Sequence, residues 1–201
     1  DAMTTPFGSE FTLYRLHFSI ADAAILGLLI YLICSFFCFR KKTPARRFGL
    51  ALLFIYSAIA VSMTLPIYLP PAFHWSPEAL RQIHWTPFLD IGQMYHNSVV
   101  SGHFGAFNRL IYGNLLLLAP IAALLPLIYP RFTFWKTSLL LLGLSVSVEL
   151  YQLLTNLFFN GSRVVEVDDI LLNVLGGVLT LGLCHLVRRT GRRLFGRRRR
   201  R

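Results

Sequence analysis

Residues 138–158 read SLLLLGLSVSVELYQLLTNLF, and this stretch decides the fold. As a helix rising about 1.5 Å per residue, it is long enough to cross a hydrocarbon core of ~30 Å. Its apolar run is continuous rather than alternating, which favours a membrane-spanning helix over a strand of a membrane barrel. Ser145, Glu149 and Gln152 interrupt the run at spacings of four and three, so they share one face of the helix.

Four further stretches have the same apolar character, at residues 21–39, 48–69, 110–129 and 170–187. Of the whole chain, 55% is hydrophobic and only 14% is charged, against about 25% charged in a soluble domain. A soluble domain of this size would need more charged residues than this chain has to cover its apolar surface. We therefore predict an all-α fold, a polytopic integral membrane bundle of about five transmembrane helices.

The chain divides into four predicted parts. Residues 1–20 form an N-terminal non-cytoplasmic segment, 21–69 carry two transmembrane helices, 70–187 hold an aromatic outer loop and three more, and 188–201 form a polybasic tail. The loop contains Trp75, Trp85 and Tyr95, which are ring types common at the headgroup level. Within it, residues 88–108 are predicted to form an interfacial or re-entrant helix.

The basic residues predict the orientation of the bundle. Sixteen of the twenty Lys and Arg lie after the first, third and fifth apolar stretches. Because cytoplasmic loops carry the excess of positive charge, the N-terminus is expected outside and the C-terminus inside. The final arginine run is interpreted as an anchor on anionic lipid rather than a nucleic-acid site, so no nucleic-acid partner is expected.

A second series of polar and small residues opens the fifth helix. Glu166, Asp169, Asn173 and Gly176 follow one another at spacings of three or four and share a face. Gly176 and Gly177 are predicted to let a neighbouring helix approach closely, and the fourth helix is the expected neighbour.

Three helices thus place polar groups in the predicted outer half of the bundle. The predicted set is Asn114, Glu149, Gln152, Arg163, Asp169 and Asn173. Polar side chains inside a membrane are costly and commonly functional, so we predict one shared polar pocket. The alternative is structural: Asp168 and Asp169 cap the fifth helix, and the two amides Asn114 and Gln152 form hydrogen bonds between helices.

Glu149 and three histidines also have structural interpretations. In the structural alternative, Glu149 is an ion-pair partner of Arg163. His84, His96 and His103 are interpreted as surface residues rather than metal ligands. No metal site and no cofactor are predicted.

These residues also carry a family resemblance: the sequence resembles the VanZ-like proteins, named for a bacterial teicoplanin-resistance protein. The matching elements are Thr86-Pro87-Phe88, Asn114 with Pro120, Ser145-x-x-x-Glu149-x-x-Gln152, and Arg163-x-x-Glu166-x-x-Asp169-x-x-x-Asn173-x-x-Gly176-Gly177. They span residues 83–183, within the 70–187 part. His84, Ala122 and Glu166 depart from the family pattern, where Asn, Gly and Asp are more usual. The resemblance implies a multi-pass protein of the bacterial cytoplasmic membrane, linked to glycopeptide or lipoglycopeptide resistance.

Two functions from different classes follow as expectations. The first is a binding protein whose pocket holds an amphiphilic or lipid-linked cell-envelope ligand, such as a cell-wall precursor or the glycopeptide antibiotic. The expected ligand-binding residues are Asn114, Glu149, Gln152, Arg163, Glu166, Asp169 and Asn173. The second is a membrane enzyme that modifies a lipid-linked envelope substrate, with Glu149 and Asp169 as catalytic acid and base, and with Asp169 and Glu166 holding a cation or orienting the substrate. Because no matching polar set reaches the inner half, a transporter is disfavoured. Membrane lipids are the expected surroundings, and the oligomeric state is left open.

Overall fold

The fold is built mainly of helices. The computed structural model describes residues 14–16, 19–65, 67–69, 75–159, 161 and 163–198. Within these ranges, five segments are long and apolar enough to span a membrane: Ile20–Phe39, Pro44–Thr64, Gly105–Ile128, Phe134–Phe159 and Val167–Thr190. The predicted all-α membrane bundle with five spans is confirmed. Most of the N-terminal segment and the last arginines of the tail lie outside the described residues.

The helices are numbered here in chain order: α1 Ile20–Cys34, α2 Pro44–Thr64, α3 Leu89–Ser101, α4 Gly105–Leu117, α5 Ala119–Ile128, α6 Phe134–Phe159 and α7 Val167–Arg198. A π-helical turn, Ser35–Phe39, continues α1, and a 3₁₀ helix covers Pro77–Gln82. Two short strand pairs accompany them. β1 (Tyr14–Leu16) is antiparallel to β2 (Ile67–Leu69), and β3 (Ile83–His84) is parallel to β4 (Val165–Glu166).

The second span is displaced from its predicted bounds of 48–69. It begins at Pro44, which occupies the first helical turn, and ends at Thr64. Leu65 is already extended, with φ −108° and ψ 104°, because a residue followed by proline is disfavoured in the helical region. Residues 67–69, predicted as helix, form β2 instead.

α1 and α2 form a hairpin held by close apolar packing. Gly27 of α1 lies so near the backbone of α2 that an added Cβ would stand 2.7 Å from the Phe54 carbonyl oxygen. One turn further, the buried Tyr31 ring packs against Phe39 and Phe54. Small residues that let two backbones approach are a common way to associate helices in lipid.

The third span is broken at Leu118, between α4 and α5. The break follows from Pro120, which has no N–H for the Leu116 carbonyl and whose ring crowds it. The Tyr56 hydroxyl of α2 donates hydrogen bonds to the Leu116 and Leu117 carbonyl oxygens, at 3.1 and 3.0 Å. The hairpin therefore supplies a donor at the break, where the Leu116 carbonyl also accepts from the Leu118 N–H, and so helps to satisfy the backbone as a span in lipid requires.

The distribution of side chains is inverted relative to a soluble protein. Large apolar side chains face outward, as Phe37, Leu139 and Leu183 do at 75%, 70% and 61% exposure. Polar side chains such as Glu149 and Asn173 are buried between the helices. One buried apolar cluster lies where the third span meets α6 and α7, and consists of Leu118, Ile121, Ala122, Leu125, Leu141 and Leu181.

A helix forms inside the predicted 88–108 segment. α3 covers Leu89–Ser101 and ends at Gly102, whose positive φ of 72° terminates it in the left-handed conformation. Its position relative to the membrane interface stays a prediction.

Candidate functional site

The buried carboxylate of Glu149 is the centre of the polar cluster. Glu149 is 3% exposed on α6. Its Oε2 accepts a hydrogen bond from the Glu166 backbone N–H at 3.3 Å, which connects α6 to β4. Its Oε1 is also buried and has no hydrogen-bond partner among the described residues. A buried acceptor without a donor is unfavourable, so this oxygen is available to a ligand.

Asp169 and Asn114 meet across the interface of α7 and α4. The Asn114 side-chain amide donates to Asp169 Oδ1. Both residues are half-buried. The structure thus brings together two members of the predicted set that are 55 positions apart in sequence.

Asn173 and Ser145 join α7 to α6 one turn deeper. The Asn173 amide donates to the Ser145 hydroxyl at 3.0 Å, and both side chains are buried. Asn173 Oδ1 is a second buried acceptor that has no partner in the described part of the chain. The cluster therefore holds two unused acceptors, one from a carboxylate and one from an amide.

Gln152 and Arg163 lie at the rim, beside the end of α2. The Gln152 amide donates to the Thr64 carbonyl oxygen at 3.3 Å. Arg163 is exposed, and its Nη2 donates to the Met63 carbonyl oxygen at 3.3 Å. Its own carbonyl accepts from the buried Asn156 amide. Within the described residues Arg163 forms no ion pair with Glu149, so the pairing considered in the sequence analysis is not seen.

Gly176 and Gly177 allow two different helices to approach α7. A Cβ on Gly176 would collide with the backbone carbonyl of Leu115 in α4. A Cβ on Gly177 would stand 2.6 Å from Leu141 Cδ1 in α6. The expected neighbour, the fourth span, is confirmed for Gly177, but at Gly176 the expectation is wrong, because Leu115 of the third span lies there. At this point α4 and α7 carry small or polar residues, which allow the two backbones to approach closely.

Asp168 has a different role from the cap of its own helix considered above. Its buried carboxylate accepts hydrogen bonds from the Phe88 and Ile91 backbone N–H groups, at 2.6 and 3.3 Å. These amides stand at the start of α3, so Asp168 caps α3 from another part of the chain. Phe88 adopts the left-handed conformation, with φ 65°. The bond to Asp168 stabilises this uncommon backbone geometry.

A second cluster of ligand-type side chains lies next to Glu149. His84 Nδ1 stands 2.6 Å from Asp90 Oδ1, and the parallel pairing of β3 with β4 brings His84 opposite Glu166. Burial, followed by the negative charges of Asp169 and Asp90, raises the pKa of Glu166 to about 7. Asp90 was not among the predicted site residues. The only signal was a carboxylate six residues after His84, with nothing to indicate the strand pairing.

An open groove runs along α3 beside these clusters. The volume of this groove is about 430 Å³, and its lining residues are Phe88, Leu89, Gly92, Gln93, His96 and Asn97. None of the predicted binding residues lines it. The groove and the polar cluster are nevertheless linked, because Phe88 belongs to the groove wall and is bound by Asp168.

Chemically, the polar cluster is suited to receive hydrogen-bond donors. Within the described residues, its buried oxygens without a hydrogen-bond partner include Glu149 Oε1 and Asn173 Oδ1, and Asn156 Oδ1 near the rim. Hydroxyl, amide N–H or ammonium groups would complement them. The exposed guanidinium of Arg163 at the rim suits an anionic group.

Comparisons with known proteins agree with the resemblance found in the sequence. Searches of curated proteins and of solved structures give no significant match. The family model described as VanZ/LLP1 matches residues 27–188. The match takes in most of the first span and all of the second, as well as the 83–183 region that carries the quoted motifs. Since this covers more than half of the 201 residues, the chain belongs to the VanZ-like family of membrane proteins.

Proposed function

We propose that this VanZ-like protein binds the polar head of an amphiphilic or lipid-linked cell-envelope ligand and thereby contributes to glycopeptide or lipoglycopeptide resistance. The observation that carries the proposal is a pair of buried acceptors, Glu149 Oε1 and Asn173 Oδ1, for which the described part of the chain offers no hydrogen-bond partner. A purely structural polar network is expected to satisfy its buried atoms internally. A ligand that brings donors into this region would complete it.

The chemistry of the cluster narrows the ligand class. Sugar hydroxyls and amide N–H groups of a lipid-linked cell-wall precursor, or of a glycopeptide, would meet the two oxygens. Arg163 would attract an anionic group at the rim, because a guanidinium binds carboxylate or phosphate with two parallel donors. An acyl or polyprenyl chain would remain among the apolar side chains that face lipid.

The proposed orientation places this cluster at the outer face of the bacterial cytoplasmic membrane. In a background whose native cysteines are replaced by alanine, Val164→Cys should react with a membrane-impermeant thiol reagent in intact cells, and Thr190→Cys should not. Both positions are exposed on the protein, near opposite ends of α7. The reverse labelling pattern would contradict an outward-facing cluster.

The main test measures lipids directly. Lipid extracts of cells with and without the protein are compared by mass spectrometry, alongside molecules that co-purify with it. A lipid that co-purifies unchanged with the wild type, and is lost from Asn173→Leu, supports binding. A new or depleted lipid species would instead support the enzyme alternative, in which Glu149 and Asp169 act as acid and base. No enrichment and no altered lipid would refute both.

A further inference from the structure

Three side chains of metal-ligating type meet at the edge of the polar cluster. His84 comes from β3, Asp90 from the first turn of α3, and Glu166 from β4. One nitrogen or oxygen atom of each lies within 4.8 Å of the other two. They are separated in the sequence by as many as 82 positions, so only the fold brings them together.

Backbone contacts hold the three residues in this arrangement. The β3–β4 register places His84 directly opposite Glu166. The Asp168 carboxylate holds the start of α3 through Phe88 and Ile91, on either side of Asp90. The triad is therefore held on three anchored elements, as a metal site requires.

Two buried oxygens of the triad have no partner. Asp90 Oδ2 and Glu166 Oε2 are inaccessible to solvent and make no hydrogen bond within the described residues. The Asp90 side chain is only 12% exposed. The contact between His84 Nδ1 and Asp90 Oδ1 uses a single carboxylate oxygen, so within the described residues it leaves both of these atoms unsatisfied. The neighbouring carboxylates Asp168 and Asp169 add negative charge around Glu166.

We propose that His84, Asp90 and Glu166 bind one divalent transition-metal ion of the Zn²⁺ or Mn²⁺ class. One imidazole nitrogen with two carboxylates matches the donor preference of these ions, whereas Mg²⁺ and Ca²⁺ favour sites built wholly of oxygen. A cation satisfies the orphaned oxygens and offsets the crowded negative charge. The proposal does not depend on the identity of the envelope ligand.

The ion requires side-chain adjustments within the triad, whose donor atoms lie within 4.8 Å of one another. Donors at about 2.0–2.2 Å from a tetrahedral centre stand about 3.3–3.6 Å apart. The His84 Nδ1 to Asp90 Oδ1 distance of 2.6 Å would therefore open by about 0.7–1.0 Å. Three protein ligands leave a further coordination position for water or an anionic group of a bound molecule.

The test uses the full chain, purified in detergent, with any affinity tag removed because polyhistidine binds zinc. The protein is stripped with a chelator, dialysed against zinc chloride or manganese chloride, and analysed for metal by mass spectrometry. About one equivalent of one of the two metals is expected in the wild type, together with a metal-dependent rise in Tm that chelator reverses. No bound metal and no rise in Tm would overturn the proposal.

Variants separate this site from adventitious binding. His84→Gln and Glu166→Gln should each weaken metal affinity at least about tenfold. His96→Gln is the matched control, since His96 is an exposed histidine of α3 outside the triad. Equal metal binding by all three variants and the wild type would assign the metal to another site and overturn the proposal. Because this readout involves neither antibiotic nor lipid, its failure is distinguishable from failure of the proposed function.

Discussion

The α1–α2 hairpin and the α4–α7 bundle hold their helices together in different ways. The hairpin is joined by the close approach at Gly27 and by the rings of Tyr31, Phe39 and Phe54. The bundle also has close glycine contacts, but it adds buried polar groups at one end, with Glu149 and Asn173 at the centre.

The difference shows what lipid-embedded packing needs and what it does not. Helices in a bilayer gain little from the hydrophobic effect, so packing and a few hydrogen bonds suffice to associate them. The hairpin meets that requirement with apolar contacts. A buried carboxylate with an unpaired oxygen goes beyond it and carries a desolvation cost. This cost is the reason we propose a ligand for the polar end of the bundle.

The largest expected effect comes from breaking the close approach in the bundle. Gly176→Leu places a side chain where the Leu115 carbonyl lies, so α4 and α7 must separate. We expect a loss of about 3 kcal/mol or more in unfolding free energy, or failure to accumulate in the membrane. Thermal unfolding in detergent measures this.

Gly143→Leu is the matched control on α6, because no described residue lies within 4 Å of a Cβ added there. It should unfold close to the wild-type temperature. Wild-type stability of the Gly176 variant would mean that α4 does not pack on α7 as described.

The second prediction separates function from packing at Glu149. Glu149→Gln keeps an acceptor for the Glu166 N–H, so the fold should remain intact. If the charge or proton of Glu149 serves the ligand, protection should be lost completely at normal expression. Asp169→Asn, which keeps an acceptor for Asn114, should behave likewise. Growth at graded teicoplanin concentrations in a susceptible host, with expression checked by blot, measures protection.

Ser147→Ala, on the exposed side of the same helix, is the control and should protect like the wild type. Full protection by both carboxylate-to-amide variants would reduce the cluster to interhelical hydrogen bonding. The polar contacts of the bundle and the apolar contacts of the hairpin would then both serve only to hold helices together.

Tyr56→Phe tests the junction between the two regions. It removes the hydroxyl that donates to the Leu116 and Leu117 carbonyls while keeping the ring. We expect a loss of about 1 kcal/mol in unfolding free energy. Tyr112→Phe is the control, since Tyr112 is 59% exposed on α4. Equal stability of the two variants would mean that the broken span is satisfied without help from the hairpin.

The smallest effect is expected at the rim. The Arg163 side chain is exposed and, among the described residues, forms a hydrogen bond only to the Met63 carbonyl. Arg163→Gln should weaken ligand binding by about 0.5–1 kcal/mol, and protection by about two- to fivefold, because exposed charges attract weakly. Arg109→Gln, another exposed arginine predicted on the same side, should have no effect. Complete loss of protection in Arg163→Gln would assign this arginine a direct role in the core of the site.

Much of the cluster could be predicted because it lies on helices. The spacing of Ser145, Glu149 and Gln152 places them on one face in any helix, and the structure buries all three. The partners were harder to predict. Spacing shows which residues share a face but not which helix that face meets, and so Gly176 was assigned to the wrong neighbour.

The triad of His84, Asp90 and Glu166 shows the other limit. It depends on a two-residue strand pairing between distant loops and on the cap that Asp168 provides for α3. Neither leaves a periodic signal in the sequence. A strand this short is not distinguishable from loop by pattern alone.

By itself, the sequence determined that five apolar helices cross a membrane and that carboxylates and amides lie on the faces of two of them. Those properties follow from local composition and from the fixed geometry of the helix. The tertiary structure decided which faces meet. Pro120 breaks the third span, and α4 packs on α7 at Gly176. In the same interface, Asn114 donates a hydrogen bond to Asp169. Contacts between distant segments depend on the combined geometry of every intervening helix and loop, which a local sequence pattern does not determine.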